Sequence, residues 1–414
     1  MKNPWKLSII GGSGRIACAV CADLVRDAAL PKGRIILHGR SDTKLRRNLE
    51  LISRTRIMPE PHIALSTTHD LRDAVTGADV VLYNATAGLG EYNGRSAFGI
   101  QQGAHILEIG EMISRLAPDA WLLVDTNPPD VPLMAARKCF RLKNVAALCN
   151  ATDIFRKVLA PFLGCSEESL SFDELGLNHE VWLTDIRRDD VSIYSELRRM
   201  LPLQYDAKKL SSSYLDVFPE WPLAFRNNIA LLEVSGFLSA PVGAPRRFRG
   251  LPVPSEEISG LMKRPTDNDF SSLVQSGAGP DKILQTIRRC GGGIPVYIAR
   301  FLGSLLGGAP GTHSLQVPDR IVFPGASDEI MLQLTCCVSR GRIEATPPAV
   351  VPPFIRALLA TRIEQNILLT RGLAGQDEAL IRQGLLVCPE RVDIGEASRI
   401  AAARECLEPS AAMN

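Results

Sequence analysis

The amino-acid sequence predicts an α/β protein whose N-terminal part is built on a doubly wound parallel sheet. Three observations support this prediction: a glycine-rich turn joins a strand to a helix near the N-terminus, several strands are apolar throughout, and helical patterns alternate with them. Such strands are typical of a parallel sheet that helices cover on both faces. The prediction places this sheet in residues 1–148 and an α+β domain in residues 149–414.

Composition and cysteine usage limit the class of protein. The formal net charge is +2 over 414 residues, so no strong field favours a nucleic acid or an anionic membrane as partner. No apolar stretch reaches the roughly 20 residues that a membrane span requires. No signal peptide precedes the first apolar run, at Leu7, and the ten cysteines are irregularly spaced, which favours a reduced, cytoplasmic protein. Cys18 and Cys21 have the spacing of a redox or zinc motif, but they lie inside a predicted helix with no second pair nearby, which favours packing.

The first strand and helix enclose a dinucleotide-binding signature. Residues 6–10 form a short apolar strand, and a helical pattern follows the turn at 11–14. In Gly12-x-Gly14-x-x-Ala17 the first glycine permits a tight turn, the second admits a pyrophosphate to the backbone, and the small third residue permits close helix–strand packing. The sequence therefore predicts a Rossmann domain that binds NAD or NADP. The predicted contact residues at this turn are Gly11, Gly12, Ser13, Gly14, Arg15 and Ile16.

The end of the second strand bears on which dinucleotide binds. The predicted strand 34–38 ends in Gly39-Arg40-Ser41. Sites for NAD usually place an acidic residue here to hold the ribose 2′-hydroxyl, whereas a guanidinium and a hydroxyl suit the 2′-phosphate of NADP. Arg40 and Ser41 are therefore assigned to the cofactor site and favour NADP slightly. The alternative is that Arg40 stacks on the adenine or faces solvent while Asp42 takes the acidic role.

The other elements of the first half alternate in the same way. We predict helices at 42–51, 70–75 and 96–116, and strands at 78–83 and 121–124. Asn84 follows the first of these strands and is assigned to the cofactor site; Asn127 follows the second. Ligands of such sheets bind at the carboxyl ends of the strands, although a simple Asn-Pro turn is the alternative for Asn127.

The second half gives weaker signals. A helix is predicted near 152–163, an apolar–polar run covers 170–186, and a long helical pattern covers 353–387. Region 276–312 is rich in glycine and is a candidate for a mobile loop. Three arginines could bind an anion, although a solvated loop is the favoured interpretation; they are Arg246, Arg247 and Arg249.

Several segments resemble the lactate and malate dehydrogenases. The matching segments are Gly94-Arg95, Ala117-Pro118-Asp119-Ala120, Thr126-Asn127-Pro128-Pro129-Asp130 and Thr152-Asp153-Ile154-Phe155-Arg156. The last of them has threonine where those enzymes have leucine. The resemblance implies the lactate/malate dehydrogenase-like fold, in which a histidine beyond that helix is the acid–base partner; His179 falls at the corresponding place.

Further motifs resemble a divergent branch of this superfamily, glycoside hydrolase family 4. Gly176-Leu177-Asn178-His179-Glu180-Val181-Trp182 is similar to the family's G-x-N-H-x-x-W, and Leu148-Cys149-Asn150 is similar to its cysteine motif. The segment 377–389 resembles the family's last helix. The resemblance is strongest over residues 7–182 and loose between about 190 and 340.

The family resemblance implies a glycosidase with redox chemistry. Its enzymes use NAD and a divalent metal, usually manganese, and are an exception to the scheme of two catalytic carboxylates. The sugar is oxidised at C3, C2 loses a proton, the aglycone is eliminated, water adds, and the sugar is reduced again, so that the cofactor is regenerated. The implied substrate is a sugar or sugar-phosphate glycoside, and a homodimer or homotetramer is expected.

Cys149 and His179 are the metal ligands that the resemblance implies. A thiolate and an imidazole suit Mn, Fe, Co, Ni or Zn better than Mg or Ca. Two protein ligands leave positions open for substrate oxygens, and a Lewis acid there would stabilise the enolate that forms when C2 loses its proton. The alternative is a buried Cys149 and a hydrogen-bonded His179 at a strand end.

The resemblance also implies catalytic roles for four residues. Arg95 and Asn150 would contact the sugar, and Asn127 would contact the nicotinamide ribose or substrate hydroxyls. The alternative for Arg95 is a helix-starting residue that only faces solvent. The base would be Tyr214, in Ser213-Tyr214-Leu215-Asp216, with Tyr205 and Tyr194 as rivals. No residue is assigned as the general acid.

Three other functions stay open at this point. The same scaffold could stop after oxidation or re-protonation, as a net sugar dehydrogenase or epimerase. A metal-free malate-type 2-hydroxyacid dehydrogenase would use His179 as its acid–base residue. A nucleotide-sensing regulator would keep the fold without turnover.

Overall fold

The structure is a computed structural model. It describes residues 4–58, 60–85, 95–204, 221–239, 266–289, 294–319, 322–323, 326, 328–387, 397–398 and 402. The strands are β1 Trp5–Ile10, β2 Gly33–His38, β3 Ile63–Thr68, β4 Val80–Tyr83, β5 Trp121–Val124, β6 Val145–Leu148, β7 Leu170–Leu177, β8 Glu180–Arg188, β9 Val191–Ser192, β10 Leu238–Ser239, β11 Gly311–Asp319, β12 Ile330–Ser339 and β13 Arg342–Thr346. The helices are α1 Arg15–Leu24, α2 Asp42–Arg54, α3 Leu71–Val75, α4 Arg95–Leu116, α5 Asp130–Phe140, α6 Ala151–Leu163, α7 Tyr194–Gln204, α8 Trp221–Ser235, α9 Asp267–Gln275, α10 Pro280–Arg288, α11 Ile294–Leu305, α12 Pro353–Gly375 and α13 Glu378–Leu386.

Six parallel strands form the predicted doubly wound sheet, in the order β3-β2-β1-β4-β5-β6. The strand order reverses between β1 and β4, which is where ligands of open α/β sheets bind. The α/β prediction is therefore confirmed. The bounds predicted for β1, β2, β4 and β5 lie within two residues of those observed.

Two strands of this sheet were missed in the sequence. In β3 only Ile63 is buried, because the strand lies at the edge of the sheet, so its sequence lacks an apolar run. In β6 all four residues are buried, but the run Val-Ala-Ala-Leu is too short to be distinguished from helix by its pattern.

The sheet continues into the second half of the chain. β11 pairs antiparallel with β6, and β12, β7, β8 and β10 follow in turn, while β13 pairs with β12 and β9 with β8. All thirteen described strands thus belong to one sheet. The seam between β6 and β11 consists of two residue pairs, Leu148–Leu315 and Ala147–Gln316. The division at residue 148 falls at this seam and stays a prediction.

The helices of the second half correct two expectations. Much of region 276–312 is helical, in α10 and α11, whose apolar faces pack into the core, so any loop is confined to the remaining parts of the region. The single pattern at 353–387 is two helices. The chain turns at Gln376, which has a left-handed φ of 55°, and Asp377 then caps α13 by accepting hydrogen bonds from the N–H groups of Ala379 (2.9 Å) and Leu380 (3.1 Å).

The parallel sheet has an apolar core on each face. α1 and α11 cover one face, and α4 and α5 cover the other. Cys18 and Cys21 are fully buried on α1, and burial raises the pKa of the Cys21 thiol far above its usual range. The packing interpretation of this pair is therefore confirmed. No described helix is both long and apolar enough to span a membrane.

Candidate active site

The glycine-rich turn is packed against the ends of two strands. Gly11 has φ +97°, and a Cβ on it would lie 2.4 Å from the carbonyl oxygen of Asn84 at the end of β4. A Cβ on Gly12 would lie 2.7 Å from that of Leu37 in β2, and both glycine N–H groups donate to the carbonyl of His38. Only glycine fits this path, which leaves the backbone bare for a ligand.

Helix α1 begins directly after this turn. Gly14 precedes it in an extended conformation and has no side chain to cap it. The first N–H groups of a helix have no partner within the helix and carry the positive end of its dipole, so they attract a phosphate. Ala17 is fully buried against the sheet, as the small third position of the signature requires. Ile16 packs partly buried against the same core.

Asn48 holds the turn from behind, a role that the sequence analysis missed. This fully buried residue of α2 donates from Nδ2 to the carbonyl oxygens of Gly12 (2.9 Å) and Gly14 (3.0 Å). The signal was present, because Asn48 lies between Leu45 and Leu51 on the apolar face of α2. A polar residue on such a face needs a specific partner.

Replacing Asn48 with alanine should therefore make the glycine-rich turn at residues 11–14 less rigid. We expect a loss of roughly 2 kcal/mol in the free energy of unfolding, because the buried carbonyl of Gly12 and the half-buried carbonyl of Gly14 lose their donor. We also expect roughly tenfold weaker dinucleotide binding. Urea unfolding and calorimetric titration measure the two effects. Asn144→Ala is the matched control, since Asn144 makes one exposed hydrogen bond to the Asp119 carbonyl; equal losses in both variants would contradict the role given to Asn48.

The end of β2 lies against the same turn. A Cβ on Gly39 would be 2.9 Å from the hydroxyl of Ser13, so the position that is acidic in NAD sites has no room for a side chain here unless Ser13 moves. Arg40 is exposed, and Ser41 Oγ accepts a hydrogen bond from the Lys44 N–H at 3.4 Å as the cap of α2. The carboxylate of Asp42 already pairs with Arg46 at 2.8 Å.

Polar side chains follow β4 and β5, the neighbouring strands. Asn84 Nδ2 donates to Asp125 Oδ2 at 2.6 Å. Burial raises the pKa of the Asp125 carboxyl to about 8, against the opposing effect of the Asn84 hydrogen bond. Next along the chain, Thr126 Oγ1 is buried with no hydrogen-bond partner among the described residues, and Asn127 is exposed. This strand end thus presents polar groups toward the carboxyl edge of the sheet.

Cys149 and Asn150 follow β6. Cys149 is 7% exposed, and Asn150 directly precedes α6. Asn150 Nδ2 is buried and has no partner among the residues that the structure describes. An unsatisfied buried donor indicates a ligand or water that would complete it. The position therefore supports contact with a substrate hydroxyl.

His179 lies at the tip of the hairpin between β7 and β8. Leu177 pairs with Glu180, so Asn178 and His179 form the turn, and His179 has a left-handed φ of +62°. The hairpin reaches the cysteine, because Cys149, Ala151 and Val181 form one buried cluster. Within the described ranges there is no group of three or more His, Cys, Asp or Glu side chains suited to a metal. The expected site needs only two protein ligands.

The predicted catalytic residues are placed less completely. Arg95 begins α4, but its side chain lies outside the described part of the structure, as do Tyr214, Tyr205 and the arginines at 246, 247 and 249. Tyr194, an alternative candidate for the base, has its hydroxyl occupied elsewhere. This buried hydroxyl donates to the Leu183 carbonyl at 2.8 Å and accepts from the Leu238 N–H at 2.9 Å, which argues against a role as base. Burial raises its pKa to about 12.

These residues fit the groups that the sequence implies. The bare backbone at 11–14 and the N-terminus of α1 suit a pyrophosphate. The unsatisfied groups of Thr126 and Asn150 lie at strand ends where the nicotinamide half would bind. A thiol beside an imidazole-bearing hairpin suits a transition metal. The arrangement can therefore bind a dinucleotide, and the chemistry of its donors suits a metal next to it.

Comparison with known proteins agrees with this geometry. No family model matches the sequence. The alpha-galactosidase of Bacillus subtilis is 22% identical over 218 residues, which cover 47% of this chain and 50% of that protein. The alpha-glucosidase of Erwinia rhapontici is 25% identical over 223 residues, 48% of this chain and 49% of that protein. The chain thus spans about half the length of these relatives in the matches.

Solved structures match over nearly the whole chain. A 6-phospho-alpha-glucosidase from gut microorganisms, solved with NAD and glucose-6-phosphate, has a TM-score of 0.74 at 15% identity and covers 98% of this chain and 99% of its own. The 6-phospho-beta-glucosidase of Thermotoga maritima, solved with manganese, NAD+ and glucose-6-phosphate, has a TM-score of 0.71 at 13% identity, with 97% and 98% covered. The lactate dehydrogenase of Cryptosporidium parvum has a TM-score of 0.57 at 14% identity, with 90% and 99% covered.

The sheet topology and the solved structures show a Rossmann domain within a lactate dehydrogenase-like fold. Within that fold, the curated proteins that the chain is similar to are glycosidases, and its motifs at 148–150 and 176–182 resemble those of glycoside hydrolase family 4.

Proposed function

We propose that this chain is an NAD(P)- and divalent-metal-dependent glycosidase that acts on a glucoside- or galactoside-type sugar or its 6-phosphate. The observation that carries the proposal is the meeting of three features at one edge of the sheet: the glycine turn, the Asn84–Asp125 pair, and Cys149 packed with Val181 of the His179 hairpin. The glycosidase relatives supply the sugar class.

The residues would divide the work between cofactor and sugar. The turn at 11–14 and the start of α1 would bind the pyrophosphate, while Cys149 and His179 would hold Mn2+ or another divalent transition metal. The bound groups would supply oxidation at C3 and Lewis-acid polarisation of the resulting carbonyl. Asn150 Nδ2 would donate to a sugar hydroxyl, since it has no partner among the described residues. Arg95, Asn127 and Tyr214 keep the roles of sugar contact, ribose contact and base that the resemblance implies.

Initial rates on nitrophenyl glucosides and galactosides, with and without a 6-phosphate, test the function. Turnover should require Mn2+ and only catalytic amounts of NAD+ or NADP+, and EDTA should abolish it. Product formed in D2O should carry deuterium at C2, because the mechanism removes that proton. Stoichiometric NAD(P)H at 340 nm would instead indicate a net dehydrogenase. EDTA-resistant reduction of a 2-keto acid would indicate the malate type, and cofactor binding without turnover a regulator.

The identity of the cofactor depends on Arg40. Changing Arg40 to glutamine should weaken NADP binding about tenfold and leave NAD binding nearly unchanged, because one charge-assisted contact to the 2′-phosphate is lost. Titration of both dinucleotides measures the effect. Arg46→Gln is the control, since the Arg46 side chain is 78% exposed and pairs with Asp42. Tighter binding of NAD than of NADP by the unmodified protein would refute the preference for NADP.

The proposal includes a cytoplasmic enzyme that works as a homodimer or homotetramer, as the family resemblance implies.

A further inference from the structure

Asp125 is an acidic residue in the candidate site to which the sequence analysis gave no role. It follows β5, and its carboxylate accepts the 2.6 Å hydrogen bond from Asn84, which follows β4. β4 and β5 are parallel neighbours, so the two side chains lie at the same edge of the sheet. The inference below rests on the proposed dinucleotide function.

Asn84 connects Asp125 to the glycine-rich turn at residues 11–14. The Asn84 N–H donates to the Ile10 carbonyl at 2.8 Å, and its own carbonyl oxygen is 2.4 Å from where a Cβ on Gly11 would be. Its Oδ1 is 3.8 Å from the corresponding point on Gly14. Asp125 is therefore one side chain away from the backbone that would receive the pyrophosphate.

The position of Asp125 along the sheet indicates which half of a bound dinucleotide would lie near it. Each half of a doubly wound sheet holds one mononucleotide, and the strand that recognises the adenosine ribose is β2. The end of β5 lies on the other side of the switch point between β1 and β4. Asp125 therefore lies on the side of the switch point where the nicotinamide half would bind.

The two oxidation states of the cofactor differ in charge only at the nicotinamide ring. Both carry the same phosphates, but the oxidised ring is a cation and the reduced ring is neutral. A poorly solvated carboxylate within several ångströms attracts the cation. The sequences of β4, β5 and β6 contain no charged residue, and the charged residue of α1 nearest the turn is Arg15. Of the residues that directly follow these three strands, Asn84, Asp125 and Cys149, Asp125 alone is acidic, so it is the group that we expect to respond to the ring.

We propose that Asp125 is a specificity-determining residue that makes the site favour the oxidised over the reduced nicotinamide. An enzyme that regenerates its cofactor must begin every turnover with the oxidised form bound. Tighter binding of the oxidised form would keep the resting enzyme ready to oxidise the next substrate molecule.

Calorimetric titration of the full chain with NAD+ and with NADH at pH 9 tests this proposal; the NADP pair replaces them if it binds more tightly. The variants are Asp125→Asn, which keeps an oxygen to accept the Asn84 hydrogen bond, and the control Asp119→Asn. Asp119 lies before the other end of β5 and its side chain is 86% exposed. The ratio of the Kd of the reduced form to that of the oxidised form should fall about fivefold in Asp125→Asn and stay unchanged in the control.

A second measurement needs no variant. Titrations of the unmodified chain at pH 8 in buffers of different ionisation enthalpy report protons released on binding. The oxidised cofactor should release more protons than the reduced one, because the cation favours the ionised form of Asp125. Equal proton release, or a Kd ratio in Asp125→Asn within twofold of the unmodified value, would overturn this proposal alone. Failure of the unmodified chain to bind either form would overturn the proposed function itself.

Discussion

Replacing Cys149 with serine is expected to reduce kcat/KM for Mn2+-dependent glycoside hydrolysis by about a hundredfold or more, with little change in dinucleotide affinity. A hydroxyl is a far poorer ligand than a thiolate for a transition metal. Cys149 is 7% exposed at the end of β6, so solvent cannot readily take its place. Initial rates, with manganese content measured by mass spectrometry, test this expectation.

The control for this substitution is another cysteine. Cys337→Ser changes an exposed thiol on β12 and should leave both turnover and manganese content unchanged. EDTA treatment of the unmodified protein should reproduce the Cys149→Ser defect, and added Mn2+ should restore activity only to the unmodified protein. Full manganese content and full turnover in Cys149→Ser would remove the metal from the proposed site.

Replacing Gly11 with alanine is expected to lower the free energy of unfolding by roughly 3–5 kcal/mol and to abolish dinucleotide binding. Two costs add: alanine is strained at φ +97°, and its Cβ would lie 2.4 Å from the Asn84 carbonyl oxygen, far inside contact distance. The backbone must then move, and with it the surface that would receive the pyrophosphate. Urea unfolding and calorimetric titration measure the two losses.

Gly77 separates the two costs. It also has a positive φ, +64°, but a Cβ there would meet no atom within 4 Å. Gly77→Ala should therefore cost about 1 kcal/mol, from backbone strain alone, and leave cofactor binding intact. If both alanine variants lose the same stability, the close approach of Gly11 to β4 is not what requires glycine.

The cofactor half of the site was predictable because its signals are local. Gly12, Gly14 and Ala17 lie within six residues, and each has a steric reason visible in the sequence. The strands β1, β4 and β5 could likewise be predicted, because burial on both faces makes most of their residues apolar; β1 has two polar residues, Lys6 and Ser8.

The remaining features depend on contacts distant in the sequence. The polar edge strand β3 is defined by its pairing with β2, and not by an apolar pattern of its own. Asn48 acts on a turn more than thirty residues before it. The Asn84–Asp125 pair joins residues 41 positions apart. Tyr194 was a candidate base because the sequence does not reveal that its hydroxyl bonds backbone groups of Leu183 and Leu238, on other elements.

The unbroken sheet also limits how this protein can move. A hinge between the two halves would have to break the ladder between β6 and β11, in which Leu148 pairs with Leu315. Cys149 is the next residue, so bending at this seam would displace a proposed metal ligand during the catalytic cycle. In the proposed glycosidase, we therefore expect loops around the strand ends to admit the sugar and release the aglycone, while the sheet that holds the proposed reacting groups stays rigid.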